Sequence, residues 1–290
     1  MLVLRITMQI TERLFMKLLS ILLVGLVSFT AFQAANAQDK SELPLWEIGG
    51  FALGVSQQAY PGSDQQIQRA LALPYVIYRG QFLRSDGNNV GLRAINTDKF
   101  ELDVGVAGSF GSGSKEIAAR SGMPQLGTLV EFGPRLKWKL SESPSQGRWS
   151  VELPLRGVFD LSNSAAYRGL AAEPRLVFAN RLPFGWDYSV SASALLGSQK
   201  LTDTYYGVSA TQAIPSRPQF NAESGLISTR LGLAASKRLN NDWRFFTFAR
   251  LDSVAGAANE NSPLVRQKNG FSVGAGISYT WLRSSEKALP

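Results

Sequence analysis

The 290-residue chain has no cysteine and no histidine. Without cysteine there is no disulfide framework, thiolate metal site or thiol nucleophile, and without histidine the commonest metal ligand and general base are missing too. The serine-histidine machinery of most hydrolases is therefore excluded, and with it the reading as a phospholipase or protease of that kind. Carboxylate pairs such as Glu101 and Asp103 remain, but no nucleophile or oxyanion arrangement accompanies them. The chain reads as a non-enzyme, and nothing in it implies a cofactor or a metal.

Long hydrophobic runs are also scarce. The exception lies at the start, where Arg13 and Lys17 precede the apolar run Leu18 to Phe29 and the small-residue pattern Ala35-Asn36-Ala37 follows. That order predicts a cleaved signal peptide over residues 1–37, with Gln38 as the mature N-terminus and the residues before Met16 as a possible upstream-start extension. Beyond Gln38 no stretch reaches the 18 apolar residues of a membrane helix, so an exported membrane protein of this sequence must cross as a β-barrel. The net charge is +8 at pH 7 and stays positive once the leader, with three basic side chains and one acidic, is set aside. No Lys/Arg run suited to tracking phosphates appears, and export argues against nucleic acid as a partner. Outer-membrane lipid and lipopolysaccharide are the expected surroundings, with the barrel assembly machinery engaged during insertion.

What the chain has in quantity is alternation. Phe271, Val273, Ala275, Ile277, Tyr279 and Trp281 alternate with Ser272, Gly274, Gly276, Ser278 and Thr280, one face for lipid and one small and polar. The same period of two runs through 99–107, 129–140, 149–160, 169–182, 186–198, 221–238 and 243–256, with charges taking the face opposite the large apolar side chains. Segments of about eleven residues suit a tilted membrane crossing better than a soluble sandwich. With 46–57, 68–78, 81–86 and 89–95 added, the count is about twelve antiparallel strands, or ten if the two short segments fold back outside the wall. The expected division is a periplasmic lead at 38–45, a barrel over 46–282 and a periplasmic tail at 283–290.

Long links near 58–67, 110–127, 199–220 and 257–268 alternate with tight turns near 96–98, 141–147, 183–185 and 240–242, which places both termini in the periplasm. Trp138, Trp149, Trp186, Trp243 and Trp281 lie beside the tight turns and read as an interfacial girdle.

On the inward face Glu131, Arg135, Glu152, Arg156, Glu173 and Arg175 occupy three consecutive strands, and antiparallel pairing can set Arg135 beside Glu152 and Glu131 beside Arg156. They form either a charge ladder that fills the lumen or a pore constriction, with Arg230, Arg244 and Arg250 on the opposite wall favouring anions.

Three loop motifs carry a family resemblance: Tyr60-Pro61-Gly62-Ser63-Asp64, Tyr205-Tyr206-Gly207-Val208 and Ser262-Pro263-Leu264-Val265, joined by the segment from Leu126-Gly127 to Glu131-Phe132-Gly133. Together they resemble the MipA/OmpV family, the MltA-interacting proteins of Gram-negative outer membranes, over roughly residues 44–281. The resemblance implies an outer-membrane barrel that links a lytic transglycosylase to a murein synthase. One departure is visible, since this chain runs on from Leu282 to Pro290. As residues, the motifs read first as loop architecture: Pro61 and Gly62 suit a tight turn in which Asp64 accepts backbone hydrogen bonds, and the two tyrosines can fold inward over the lumen. A narrow channel for small solutes, anionic ones included, and a surface adhesin using the loops at 110–127 and 199–220 are the alternatives to the scaffold.

Overall fold

The structure, a computed structural model, describes residues 43–79, 83–85, 90–92, 95–97, 99–111, 117–143 and 147–288. The expected signal peptide and most of the lead after it lie outside the described residues.

Every named strand belongs to one antiparallel sheet. In chain order these are β1 Trp46–Gln58, β2 Gln66–Arg79, β3 Leu83–Ser85, β4 Val90–Leu92, β5 Ile95–Asn96, β6 Phe100–Ser109, β7 Leu129–Ser143, β8 Gly147–Asp160, β9 Ala166–Ala172, β10 Arg175–Leu182, β11 Trp186–Gly197, β12 Gly225–Arg238, β13 Trp243–Ser253 and β14 Asn269–Arg283. β9 and β10 are two halves of one wall strand: both pair with β8 and β11, and Pro174, which has no N–H to donate, marks the break between them. β4 and β5 are counted together as one position, the first paired to β3 and the second to β6. Counted so, the wall has twelve strands, and the first of them meets the last because β1 pairs with β14 as well as with β2. The short segments expected at 81–86 and 89–95 thus take places in the wall.

Alternation sets the two faces. Leu153, Leu155, Leu231, Leu251 and Phe271 stand exposed on the outside, while Arg135, Glu152, Arg156 and Ser272 are buried within. All six tryptophans face outward at one rim, the rim of the tight turns. Trp46, which the sequence reading left out, joins the other five, because its cross-strand partner Tyr78 lies on the lipid face at the end of β2. At the other rim Phe159 stacks on Phe132 with ring centres 4.9 Å apart and meets Tyr167 at a tilt, 5.6 Å away, outside the wall. Aromatic rings at both ends of a tall apolar band are what two membrane interfaces select.

Both ends of the described chain meet at the turn rim. Past Trp281 the tail does not hang free: Pro44 bridges Lys287, and the Leu45 N–H donates to the Glu286 carbonyl. The side chain of Arg283 also reaches Asp242 in the neighbouring turn.

The lumen is not uniformly polar, as the small inward face of β14 had suggested. Along β1, β2 and β13 its filling is apolar, with Phe51, Leu53 and Phe246 buried and Leu71, Leu73, Tyr75 and Phe248 packed on them. The inward glycines of β14 make this possible. A Cβ on Gly276 would strike the Phe246 ring, and one on Gly274 would strike Phe248. The small face of β14 is space for neighbouring aromatics.

Candidate functional site: a charged wall beneath a closed cap

Two chains of ion pairs run across the remaining wall. In the first, Arg135 donates to Asp103 at 2.6 and 3.0 Å and reaches Glu152 at 3.5 Å. Glu152 also accepts from Arg175 at 2.9 Å and lies 3.8 Å from Lys137. In the second, Arg156 donates to Glu131 at 2.9 Å and to Glu173 at 2.8 Å. Glu173 accepts from Arg230 at 3.2 Å and from the Ser193 hydroxyl at 3.1 Å. Arg230 then joins Asp252, which also holds Arg250 at 2.8 Å. Glu152, Glu173 and Asp252 each serve two or more cations, and Asp103 takes two hydrogen bonds from Arg135, so that buried charges have their lone pairs satisfied.

Register explains who meets whom. Arg135 lies directly opposite Asp103 on β6, and Arg230 directly opposite Asp252 on β13. The pairs expected about the turn between β7 and β8 are diagonal: Arg135 opposes Pro154, and Glu131 opposes Val158. Asp103 was missed because the loop between β6 and β7 is long enough to hide the register; Asp252 was legible, since only the tight turn at 240–242 separates its strand from that of Arg230, but the sequence reading placed Arg230 on an opposite wall and sought no acid for it. A second correction concerns Arg230 and Arg250, which stand with the acids in one network and do not form an opposite wall. Arg244 alone among the three keeps apart from it.

Above this wall the long loops fold together into a hydrophobic cap. Ile117, Leu126, Leu201, Tyr205, Tyr206, Val208, Ile227 and Leu264 are buried in one cluster with Tyr60. The three motifs, distant in sequence, are tied at its centre. Tyr60 Oη donates to the Leu264 carbonyl at 2.7 Å, Tyr206 Oη to the Pro61 carbonyl at 3.0 Å, and Ser262 Oγ to the Tyr206 carbonyl at 2.8 Å. Gly62, held at φ +90°, offers its carbonyl to the N–H groups of Arg266 and Gln267. Pro61 before a glycine of positive φ is a type II turn pattern, closed by Ser63 N–H on the Tyr60 carbonyl at 3.0 Å. Within the turn the side-chain acceptor is Ser63 Oγ, which takes the Gln65 N–H, while Asp64 is exposed. Val265 packs against the same cluster, Pro263 beside it is half-buried, and Gly207 ends the helix Gln199–Tyr206 that carries the tyrosines.

Two arginines stitch the cap from within. Arg120 donates to the Tyr205 carbonyl at 3.0 Å with its guanidinium 5.9 Å from the Tyr60 ring centre, and Arg217 donates to the carbonyls of Ala119 and Ser121. Burial pushes Arg120 down to about 10 and both Tyr60 and Tyr205 up to about 12. Tyr60 stays neutral in the folded cap at pH values where a free phenol ionises, so its contribution is complete below pH 10 and is lost as pH rises towards about 12. Tyrosinate absorbance of the folded protein will show Tyr60 missing from the transition near pH 10, and the Tyr60→Phe variant will leave that transition unchanged. Removal of the same hydroxyl orphans the Leu264 carbonyl and loosens the cap by about 1–3 kcal/mol, measurable as faster cleavage of the loops by protease.

A closed antiparallel barrel, belted with aromatics and apolar between the belts, is an outer-membrane β-barrel protein. The chain belongs to the MipA family: the family described as MltA-interacting protein MipA matches residues 49–281. No curated protein matches. Similar solved structures include the COG4313 outer membrane channel from Pseudomonas putida F1, 12% identical, which covers 85% of this chain and 99% of its own at a TM-score of 0.39. The toluene transporter TbuX of Ralstonia pickettii is also 12% identical, covering 88% of this chain and 97% of its own at a TM-score of 0.33.

Proposed function

We propose that this protein is a non-catalytic scaffold of the outer membrane, an electrically silent barrel that holds a murein-degrading and a murein-synthesising enzyme at the cell envelope. The turn rim and both termini face the periplasm in this reading, where such enzymes work, and the long-loop cap faces outward. The observation that carries it is the burial of the inward charges. Arg135 and Glu152 are each 6% exposed and Arg156 3%, values that fit a packed interior and not the lining of a water-filled pore. The partner class comes from the family's description as MltA-interacting protein. No cluster of three potential metal ligands occurs among the described residues.

Two measurements test the reading. In planar bilayers the purified barrel passes no current above background, and cross-linking in cells recovers a lytic transglycosylase and a murein synthase with it. A steady current whose ion preference shifts in Arg135 or Arg156 variants would replace the scaffold by the channel.

A further inference from the structure

Inward arginines in this barrel are supplied with acids as a rule. Those of the two chains, together with Arg79, Arg168 and Arg181, each hold a carboxylate within 3.5 Å. At the turn rim the rule breaks. Arg238, the last residue of β12, and Arg244, near the start of β13, are direct cross-strand partners on the inward face, and among the described residues neither has an ion pair. Like charges placed directly opposite each other across an antiparallel pair are destabilising. The acids on nearby strands are engaged elsewhere, Glu47 by Arg79 and Asp187 by Arg181, both at 2.7 Å.

The surroundings of the pair suit a ligand. Arg244 is half-buried and Arg238 exposed, so both can be approached from the turn side. The other cross-strand neighbour of Arg244 is Ser278, whose hydroxyl can donate or accept, and Phe246 at 1% exposure closes the lumen one step further in. A slim anion entering from the mouth meets two guanidinium forks and an apolar floor.

The geometry points to an anion-binding site at the turn-side mouth of the barrel, in which Arg238 and Arg244 together hold a carboxylate or phosphate group through bidentate hydrogen bonds. Guanidinium is suited to this, since its planar fork matches both groups. The site deepens the scaffold reading and rests on it only for the side of the membrane on which the mouth opens. In the periplasm two sources carry such groups: the stem peptides of murein, with free carboxylates, and phospholipid headgroups.

The test uses the full mature chain, folded in detergent at low ionic strength and titrated calorimetrically with a synthetic murein stem tripeptide acetylated on its amines, the same peptide with its carboxyls amidated and so neutral, and inorganic phosphate. The tripeptide binds, the amidated form does not, and Arg244→Gln weakens binding by at least about tenfold. Without ligand the same variant withstands more urea than the parent, because the repulsion has been removed. Arg238→Gln behaves alike. Binding of phosphate in place of the tripeptide assigns the site to headgroups. The site is refuted if neither anion binds, if Arg244→Gln binds as tightly as the parent, or if unliganded Arg244→Gln is the less stable protein. A silent barrel that cross-links to murein enzymes yet binds neither anion refutes the site and leaves the scaffold. A conducting barrel that binds them does the reverse.

Discussion

Replacing Arg156 with alanine destabilises the barrel by about 3–5 kcal/mol, the largest single effect expected in this protein. Arg156 is the only cation bonded to Glu131 among the ion pairs described, and it shares Glu173 with Arg230. Its removal leaves carboxylates in a lumen that water barely reaches, so the loss is mostly the desolvation of charges that have lost their partner, and only partly the lost attraction. A double change separates the two. Arg156→Ala with Glu131→Gln costs less than the sum of the single substitutions, because the second removes the charge that the first exposes, and the shortfall in a urea-denaturation cycle is the coupling. Additive losses would mean that the two side chains do not interact. Arg135→Ala with Asp103→Asn behaves in the same way and couples more strongly than Arg135→Ala with Glu152→Gln, since Asp103 accepts two hydrogen bonds at 2.6 and 3.0 Å and Glu152 one at 3.5 Å.

The lipid face carries the second large effect. Leu231 stands 58% exposed near the middle of β12, on the face shared with Leu233 and, across the strand pair, Leu251. Leu231→Arg places a charge at the bilayer midplane and costs about 2–4 kcal/mol, whereas Thr229→Arg on the same face, close to the loop rim, costs about 0–1 kcal/mol. Folding into lipid vesicles measured against urea gives both numbers. Equal costs would place the membrane at some other height on this barrel.

Much of this was legible in the order of residues. The side-chain period of a strand is two, so the faces of β7, β8, β12, β13 and β14 could be assigned from sequence without knowing their neighbours. Tight turns at Pro183-Phe184-Gly185 and Asn240-Asn241-Asp242 join strands whose pairing they dictate, and Glu131 and Arg156, joined by a single turn, were accordingly matched. Trp46 was overlooked because it opens its strand and has no alternating neighbours before it.

Register across long loops was not legible. Asp103 and Arg135 are separated by the loop 110–128, and a shift of two residues in the pairing of β6 with β7 would keep every face while changing every partner. The apolar half of the lumen was hidden for a related reason: glycine and serine along β14 read as a polar face until Phe246 and Phe248 are seen to occupy the space above them. The cap depends on contacts between residues some 145 to 204 positions apart, Tyr206 with Pro61 and Tyr60 with Leu264. Alternation and the absence of thiol and imidazole chemistry are local properties, and the amino-acid sequence determined them alone. Which charges meet, which half of the lumen is apolar and how the three loop motifs come together were decided by tertiary structure, because each depends on bringing together side chains whose separation along the chain carries no information about their distance in space.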